Sequence, residues 1–293
     1  MHAAEYAIVL ALAWLLRRLP YKAALSAGST IGDVLYLAMK KRREITLSNL
    51  EKAFPEKSRN ELETAAKKLF RHLGKCAVEF VWLPKMRRDF ITKIVKIEGS
   101  ENLREALSKG KGAIVIVSHF GNWELLGAVF ALLGPSSAVA FPQGNPLTDR
   151  LINRYRTGTG LKIIRTGSAA KEIIRLLRKN ETVGLLSDQN AGDGGIFVDF
   201  FGRPASTARG PIAIALKTGS PVLMAFIVRR ADDTHVLAIE KELPLVKTGN
   251  GENDVRVNTQ KWSDLLAEKI RQYPEQWFWV HRRWKTQPPE EKL

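Results

Sequence analysis

Beyond about residue 95 the chain alternates short apolar runs with amphipathic stretches, and this alternation restricts its architecture more than any other feature. AIVIV (113–117), SAVA (137–140), LKII (161–164) and TVGLL (182–186) read as buried strands. NWELLGAVFALL, NPLTDRLINRYR and SAAKEIIRLLRK, which fall between them, read as helices, the last with Ser168 as a candidate N-cap. Strand and helix alternating at this spacing predict an α/β fold with a mainly parallel central sheet, right-handed crossovers and flanking helices. PVLMAFIV (221–228) and HVLAIEKEL (235–243) predict a closing antiparallel hairpin, and a last helix spans roughly Val257–Tyr273.

The first 95 residues are of another kind, helical throughout. AAEYAIVLALAWLL (3–16) is followed by YKAALSAGSTIGDVLYLAMKKRRE, a second hydrophobic helix ending in Lys40, Lys41, Arg42 and Arg43. A helix around Ile45–Ala53 and another from Ser58 to Trp82 come next, with Ser58 and Glu61 at capping-box spacing. Two regions are therefore expected: an N-terminal helical part, 1–95, and one continuous α/β unit, 96–293.

Residues 3–16 are too short for a hydrocarbon core that takes about 20 apolar residues. No cationic segment precedes them and no small-residue cleavage site follows, as a signal peptide would require. Arg17 and Arg18 do follow, as on a helix lying in a membrane interface, while a core helix is the plainer alternative. The cluster at 40–43 suits anionic lipid, or is a solvated face. The expectation is thus a membrane-associating N-terminal segment that anchors the protein.

Charge narrows the partners. With 46 Lys and Arg against 30 Asp and Glu the formal net charge is +16, which favours phosphate- or carboxylate-rich partners. Nucleic acid, an anionic membrane and an acidic protein all qualify, but no nucleic-acid recognition motif accompanies the charge. Cys76 is the one cysteine, so no internal disulfide forms, and five scattered histidines without an HExxH pattern predict no metal site. Gly158-Thr159-Gly160 lacks the third glycine of a dinucleotide fingerprint and there is no P-loop, so no cofactor is expected.

The stretch VSHFGNWELLG (117–127) carries the chemistry. His119 falls where strand AIVIV ends, at the sheet edge where open α/β folds bind ligands. Asn122 is a candidate cap for the next helix and a candidate substrate contact, and Gly121 permits a tight turn. Glu124, one helical turn on, could reach back to the imidazole, fix its tautomer and leave the other nitrogen free to take a proton. A histidine that merely caps the strand end is the alternative.

HFGNWE resembles the HxxxxD/E block of the lipid A late acyltransferases, the lauroyl/myristoyl branch of the glycerolipid acyltransferase superfamily. Further blocks extend the resemblance over nearly the whole chain: the N-terminal helix, REITLSNLEKAFPE (43–56), NPLTDRLINRYRTGTG (145–160), VGLLSDQN (183–190), VDFFGRPAST (198–207) and PEQWFWVHRRWKT (274–286). The resemblance implies that His119 and Glu124 are the catalytic pair, and that Arg156 and Asp188 stand at the family's functional Arg and Asp. It further implies an acyl carrier protein as donor, with acyl-CoA as the alternative, a lipid A precursor as acceptor, and a place at the cytoplasmic face of a bacterial inner membrane. At Phe141 and Asn190 the chain departs from the family, which often has an arginine and a second acid there.

Arg156 offers forked donors for an anionic group or a developing oxyanion; without the resemblance it would be a solvated arginine. Asp188, at the end of TVGLLS, could pair with Arg156 or position the acceptor, or simply be a turn residue. Thr207 is a candidate cap for a helix beginning near Ala208, whose free amides could hold phosphate. The tail WFWVHRRW (277–284) suits stacking on nucleic acid, a membrane interface or core packing, and packing is the expectation.

Overall fold

The computed structural model describes residues 2–167 and 169–289. Four helices come first: α1 (His2–Arg18), α2 (Tyr21–Ala38), α3 (Lys40–Ala53) and α4 (Arg59–Trp82). The Ser58–Glu61 capping box opens α4 as expected. α5 (Arg88–Ile94) leads into β1 (Val95–Glu98), α6 (Ser100–Ser108), β2 (Ala113–Val117), α7 (Trp123–Leu133), β3 (Ser136–Ala140), α8 (Pro146–Gly158) and β4 (Lys162–Arg165). After α9 (Ala169–Leu177) come β5 (Thr182–Leu186), β6 (Ile196–Asp199), β7 (Pro204–Thr207), α10 (Gly210–Thr218), β8 (Val222–Arg229), β9 (His235–Ile239) and α11 (Gly251–Gln272).

Seven strands form the main sheet in the order β1-β9-β8-β2-β5-β3-β4. All neighbours are parallel except β8 and β9, the expected hairpin, so the sheet is mainly parallel. β2 lies at its centre and is buried at all five residues, which is why AIVIV has no polar alternation. Ile114 and Ile116 join the core under α9, α10, α11 and the C-terminal tryptophans. Val115 and Val117 face the opposite core, built with α5, α6 and α7. β6 and β7 form a separate antiparallel pair that the sequence did not announce, because PAST has no apolar pattern.

The candidate cap Ser168 lies outside the described residues. Two other expectations change. The basic cluster does not close the second helix: α2 ends at Ala38, and Lys40–Arg43 open α3 instead. α10 starts at Gly210 with no side-chain cap, and Thr207 is the buried last residue of β7.

The anchoring expectation is also corrected. No helix among the described residues is long and apolar enough to cross a membrane. α1 is only 17 residues long and is docked on the rest of the chain, with Arg17 donating to the Tyr155 hydroxyl at 2.8 Å and the Trp82 indole donating to the Leu16 carbonyl at 3.1 Å. α2 packs closely on α4 through glycines: a Cβ on Gly74 would stand 2.0 Å from the Gly28 carbonyl oxygen.

Candidate active site

Adjacent parallel strands place their C-terminal ends side by side, and here that juxtaposition assembles the site. β2 and β5 pair in register from Ala113 and Thr182 to Val117 and Leu186, and Ser187 N–H still donates to the Val117 carbonyl beyond the last pair. Two residues past the strand ends stand His119 and Asp188. His119 Nδ1 lies 2.8 Å from Asp188 Oδ1, and the His119 backbone N–H donates to Oδ2 at 3.0 Å. The Trp277 indole N–H donates to the same Oδ2 at 2.7 Å.

Asp188 is 1% exposed. Burial pushes its carboxyl up, but the His119 ring and the N–H groups of His119 and Trp277 outweigh that and hold it below its ordinary value. An ionised Asp188 accepts from Nδ1–H, so the tautomer is set and Nε2 is the free base. The partner of His119 is therefore Asp188 and not Glu124, as the sequence spacing had suggested.

Glu124 turns to Arg156 instead. From the last turn of α8, Arg156 donates Nε to Oε2 at 2.9 Å and Nη2 to Oε1 at 2.6 Å, a forked pair. Burial lowers the Arg156 pKa, yet the two Glu124 hydrogen bonds more than offset it and leave it raised. Both side chains remain about one-fifth exposed, and both line the cavity that His119 faces.

That cavity has a volume of about 830 Å³. Its walls are mainly apolar, with Val115, Val117, Leu126, Phe130, Leu161 and Ile163 among them. Gly184 of β5 also lines it, and a Cβ there would meet only ordinary contacts, the Ser137 oxygen at 3.7 Å and Val117 Cγ2 at 4.0 Å. Thr182 and Ser136 line its far end, so it runs the length of β5, about 13 Å at 3.3 Å per residue for its four steps. One polar edge and a long apolar body suit a lipid chain whose reactive carbonyl lies beside His119.

The turn between His119 and α7 is held from below. Gly121 has φ +59°, and a Cβ there would lie 1.6 Å from the Ile227 carbonyl oxygen, so no other residue fits. Asn122 is 1% exposed, and both ends of its amide are engaged: Oδ1 accepts from Leu125 N–H at 3.0 Å, and Nδ2 donates to Glu79 Oε2 at 2.6 Å. It is a helix cap out of reach of the cavity rather than a surface for substrate.

Glu79, fully buried on α4, is the centre of a second polar cluster. It accepts from the Tyr21 hydroxyl at 2.6 Å, from His235 Nε2 at 2.9 Å and from both Nη groups of Arg229. Burial would raise its carboxyl, but Arg229 and His235 hold it far below the usual range. His72, on the same face of α4, is pushed down to about 3 by burial and by Arg229. It is thus neutral, and its Nε2–H donates to the Gly121 carbonyl at 3.1 Å.

Sequence reasoning missed Glu79, His72 and Trp277. The first two stand at helical spacing in RHLGKCAVEF, and a carboxylate inside the run CAVEFVW is a detectable anomaly. Trp277 was assigned to packing and is indeed 2% exposed. Its indole N–H still needed an acceptor, which pointed to a buried carboxylate or carbonyl. Its neighbour Phe278 donates its N–H to the His119 carbonyl at 2.9 Å and sets its ring 5.8 Å from the imidazole.

Comparison with known proteins extends this geometry. A family model described as bacterial lipid A biosynthesis acyltransferase matches residues 1–286. The lipid A biosynthesis palmitoleoyltransferase of Escherichia coli (strain K12) is 31% identical over 94% of this chain and 89% of that protein. The lipid A biosynthesis lauroyltransferase of the same organism is 30% identical with the same coverage. A phosphatidylinositol mannoside acyltransferase of Mycolicibacterium smegmatis is 25% identical over 69% of this chain and 66% of that protein.

Proposed function

Since the chain belongs to the bacterial lipid A biosynthesis acyltransferase family and is an O-acyltransferase, we propose that it esterifies a hydroxyl of a lipid A precursor with a fatty acyl group taken from acyl carrier protein. The observation that carries this reading is the Asp188-held imidazole of His119 at the polar edge of an apolar cavity of about 830 Å³. The acyl chain lies in the cavity, with its thioester carbonyl beside His119.

His119 Nε2 removes the acceptor hydroxyl proton as the oxygen attacks the thioester carbon. A C–O bond forms and the carbonyl becomes a tetrahedral oxyanion. When this collapses the C–S bond breaks, and the leaving thiolate takes the proton from the imidazolium. Asp188 fixes the ring and supports its positive charge. Glu124 acts through Arg156, holding it so that its remaining N–H donors face the oxyanion or an anionic group of the acceptor.

The test is direct. Purified protein is incubated with an acyl carrier protein thioester and a lipid A precursor, and ester formation is followed by mass spectrometry. Wild type is expected to form the ester, and His119→Ala to lose it while melting normally. Acyl-CoA in a parallel reaction decides the donor, and a mannosylated phosphoinositide decides whether the acceptor resembles that of the mycobacterial relative. No ester from any thioester and glycolipid pair would overturn the reading.

A further inference from the structure

α3 begins against the electrostatics of its own backbone. A helix N-terminus carries roughly half a positive charge and favours acids. The first turn of α3 has no acid, no side-chain cap and the sequence Lys40-Lys41-Arg42-Arg43. Arg42 and Arg43 are accounted for, because they donate to the carbonyls of Val280 and of Tyr36 and Leu37. Lys40 and Lys41 are not.

These two line a cleft of about 890 Å³ between α3 and the C-terminal segment, together with Lys52, Arg282 and Lys285. Among the described residues none of the five forms an ion pair. Among the described residues Glu44 is the one carboxylate in the wall. Solvated lysines on a convex surface can spread apart; these are gathered from two distant parts of the chain into one recess. Asn49 fastens the two walls, donating to the carbonyls of Trp279 and His281, each at 2.7 Å. A cleft that gathers five cations, none of them ion-paired among the described residues, suits an anion with several oxygens.

We propose that this cleft binds a phosphomonoester. Its concavity favours a compact group over the broad face of an acidic protein. The group is either a phosphate on the sugar headgroup of the glycolipid acceptor, which rests on the function proposed above, or free phosphate. A path to the active site exists in either case. Lys285 adjoins Thr286, which exchanges hydrogen bonds with Asn190, and Asn190 lines the catalytic cavity.

The experiment has two arms, with Lys41→Gln/Arg282→Gln as the variant, since both positions are exposed. In the first, inorganic phosphate is titrated calorimetrically at constant ionic strength. Wild type is expected to bind it, and the variant to bind at least about tenfold more weakly, the worth of one charge-assisted hydrogen bond. This arm does not depend on acyl transfer, so it stands if the proposed function fails.

In the second arm, KM is measured for a phosphorylated acceptor and for the same acceptor after phosphatase treatment. A raised KM confined to the phosphorylated form identifies the headgroup as the ligand. Phosphate binding without that KM effect identifies free phosphate. The proposal is overturned if phosphate does not bind and neither KM changes. It is also overturned if only the KM for an acyl carrier protein donor rises, which would make the cleft a protein docking site.

Discussion

Replacing Asp188 by asparagine should stop the enzyme without unfolding it, for a reason the hydrogen bonds make explicit. The carboxylate accepts from two donors at Oδ2, the His119 backbone N–H and the Trp277 indole, and from one at Oδ1, His119 Nδ1–H. An asparagine keeps the two bonds at Oδ2 by placing its carbonyl oxygen there. Its NH₂ then faces Nδ1 and donates to it, which moves the imidazole proton to Nε2. The nitrogen that should accept the hydroxyl proton is then already occupied. Flipping the amide restores Nδ1–H but turns an NH₂ toward two donors, and each buried donor left unpaired costs about 1–3 kcal/mol. The wrong tautomer is therefore favoured, and the charge that supports the imidazolium is gone.

The expected loss in kcat is about 10²–10⁴, the worth of a positioned base and the scale of the same substitution in the Ser-His-Asp triad. The assay is steady-state acyl transfer by purified Asp188→Asn, beside a thermal melt that confirms folding. A kcat within about threefold of wild type, far short of the loss expected when a positioned base is disabled, would refute Asp188 as the partner of His119.

Glu124→Gln should also lower turnover, by loosening Arg156, but should leave the pH profile of kcat in place, whereas Asp188→Asn should displace it; a profile shifted by Glu124→Gln would return Glu124 to the imidazole. Gly184→Leu should fill the apolar cavity and shift donor preference toward shorter chains, by about 10–200-fold in kcat/KM per excluded methylene, read by mass spectrometry across a series of acyl lengths; an unchanged preference would remove the cavity from acyl binding. His72 is neutral in the fold, with its pKa lowered to about 3. Its contribution is fully present above the unfolded value of about 6.5 and is lost as pH falls below it, at up to about 1.4 kcal/mol per pH unit. Melting curves between pH 7 and pH 5 should therefore fall less steeply for His72→Gln than for wild type, and equal slopes would count against it.

The sheet was legible because β2 and β5 are short, largely apolar runs between amphipathic helices, so its mainly parallel sense and its ligand edge followed from general rules of chain geometry, whereas the strand order came only from the structure. The position of His119 at that edge was legible for the same reason. Its partner was not. Glu124 is close to His119 in sequence, but α7 carries its side chain toward α8, while β5 brings Asp188 alongside from 69 residues away. Local spacing favours the near acid; only the in-register pairing of β2 with β5 reveals the far one. The same limit hid Trp277, whose acceptor lies 89 residues distant. The reversed placement of Lys40–Arg43 turned on a single break at Met39 between two helical stretches that read as continuous.

The buried carboxylate on α4 also bears on how such enzymes can be recombined. Asn122 and Gly121 hang from Glu79 and His72, so the turn that presents His119 is finished by a helix from the other half of the chain. A chimera joining residues 1–95 of one relative to the remainder of another must inherit Glu79 with Arg229, His235 and Asn122 as a matched set. A mismatched graft leaves an unpaired charge in the interior, at a cost of about 3–5 kcal/mol. The same dependence orders events during folding: the sheet can form first, but the catalytic turn is complete only when α4 docks, so recovery of activity on refolding should trail the formation of β-structure.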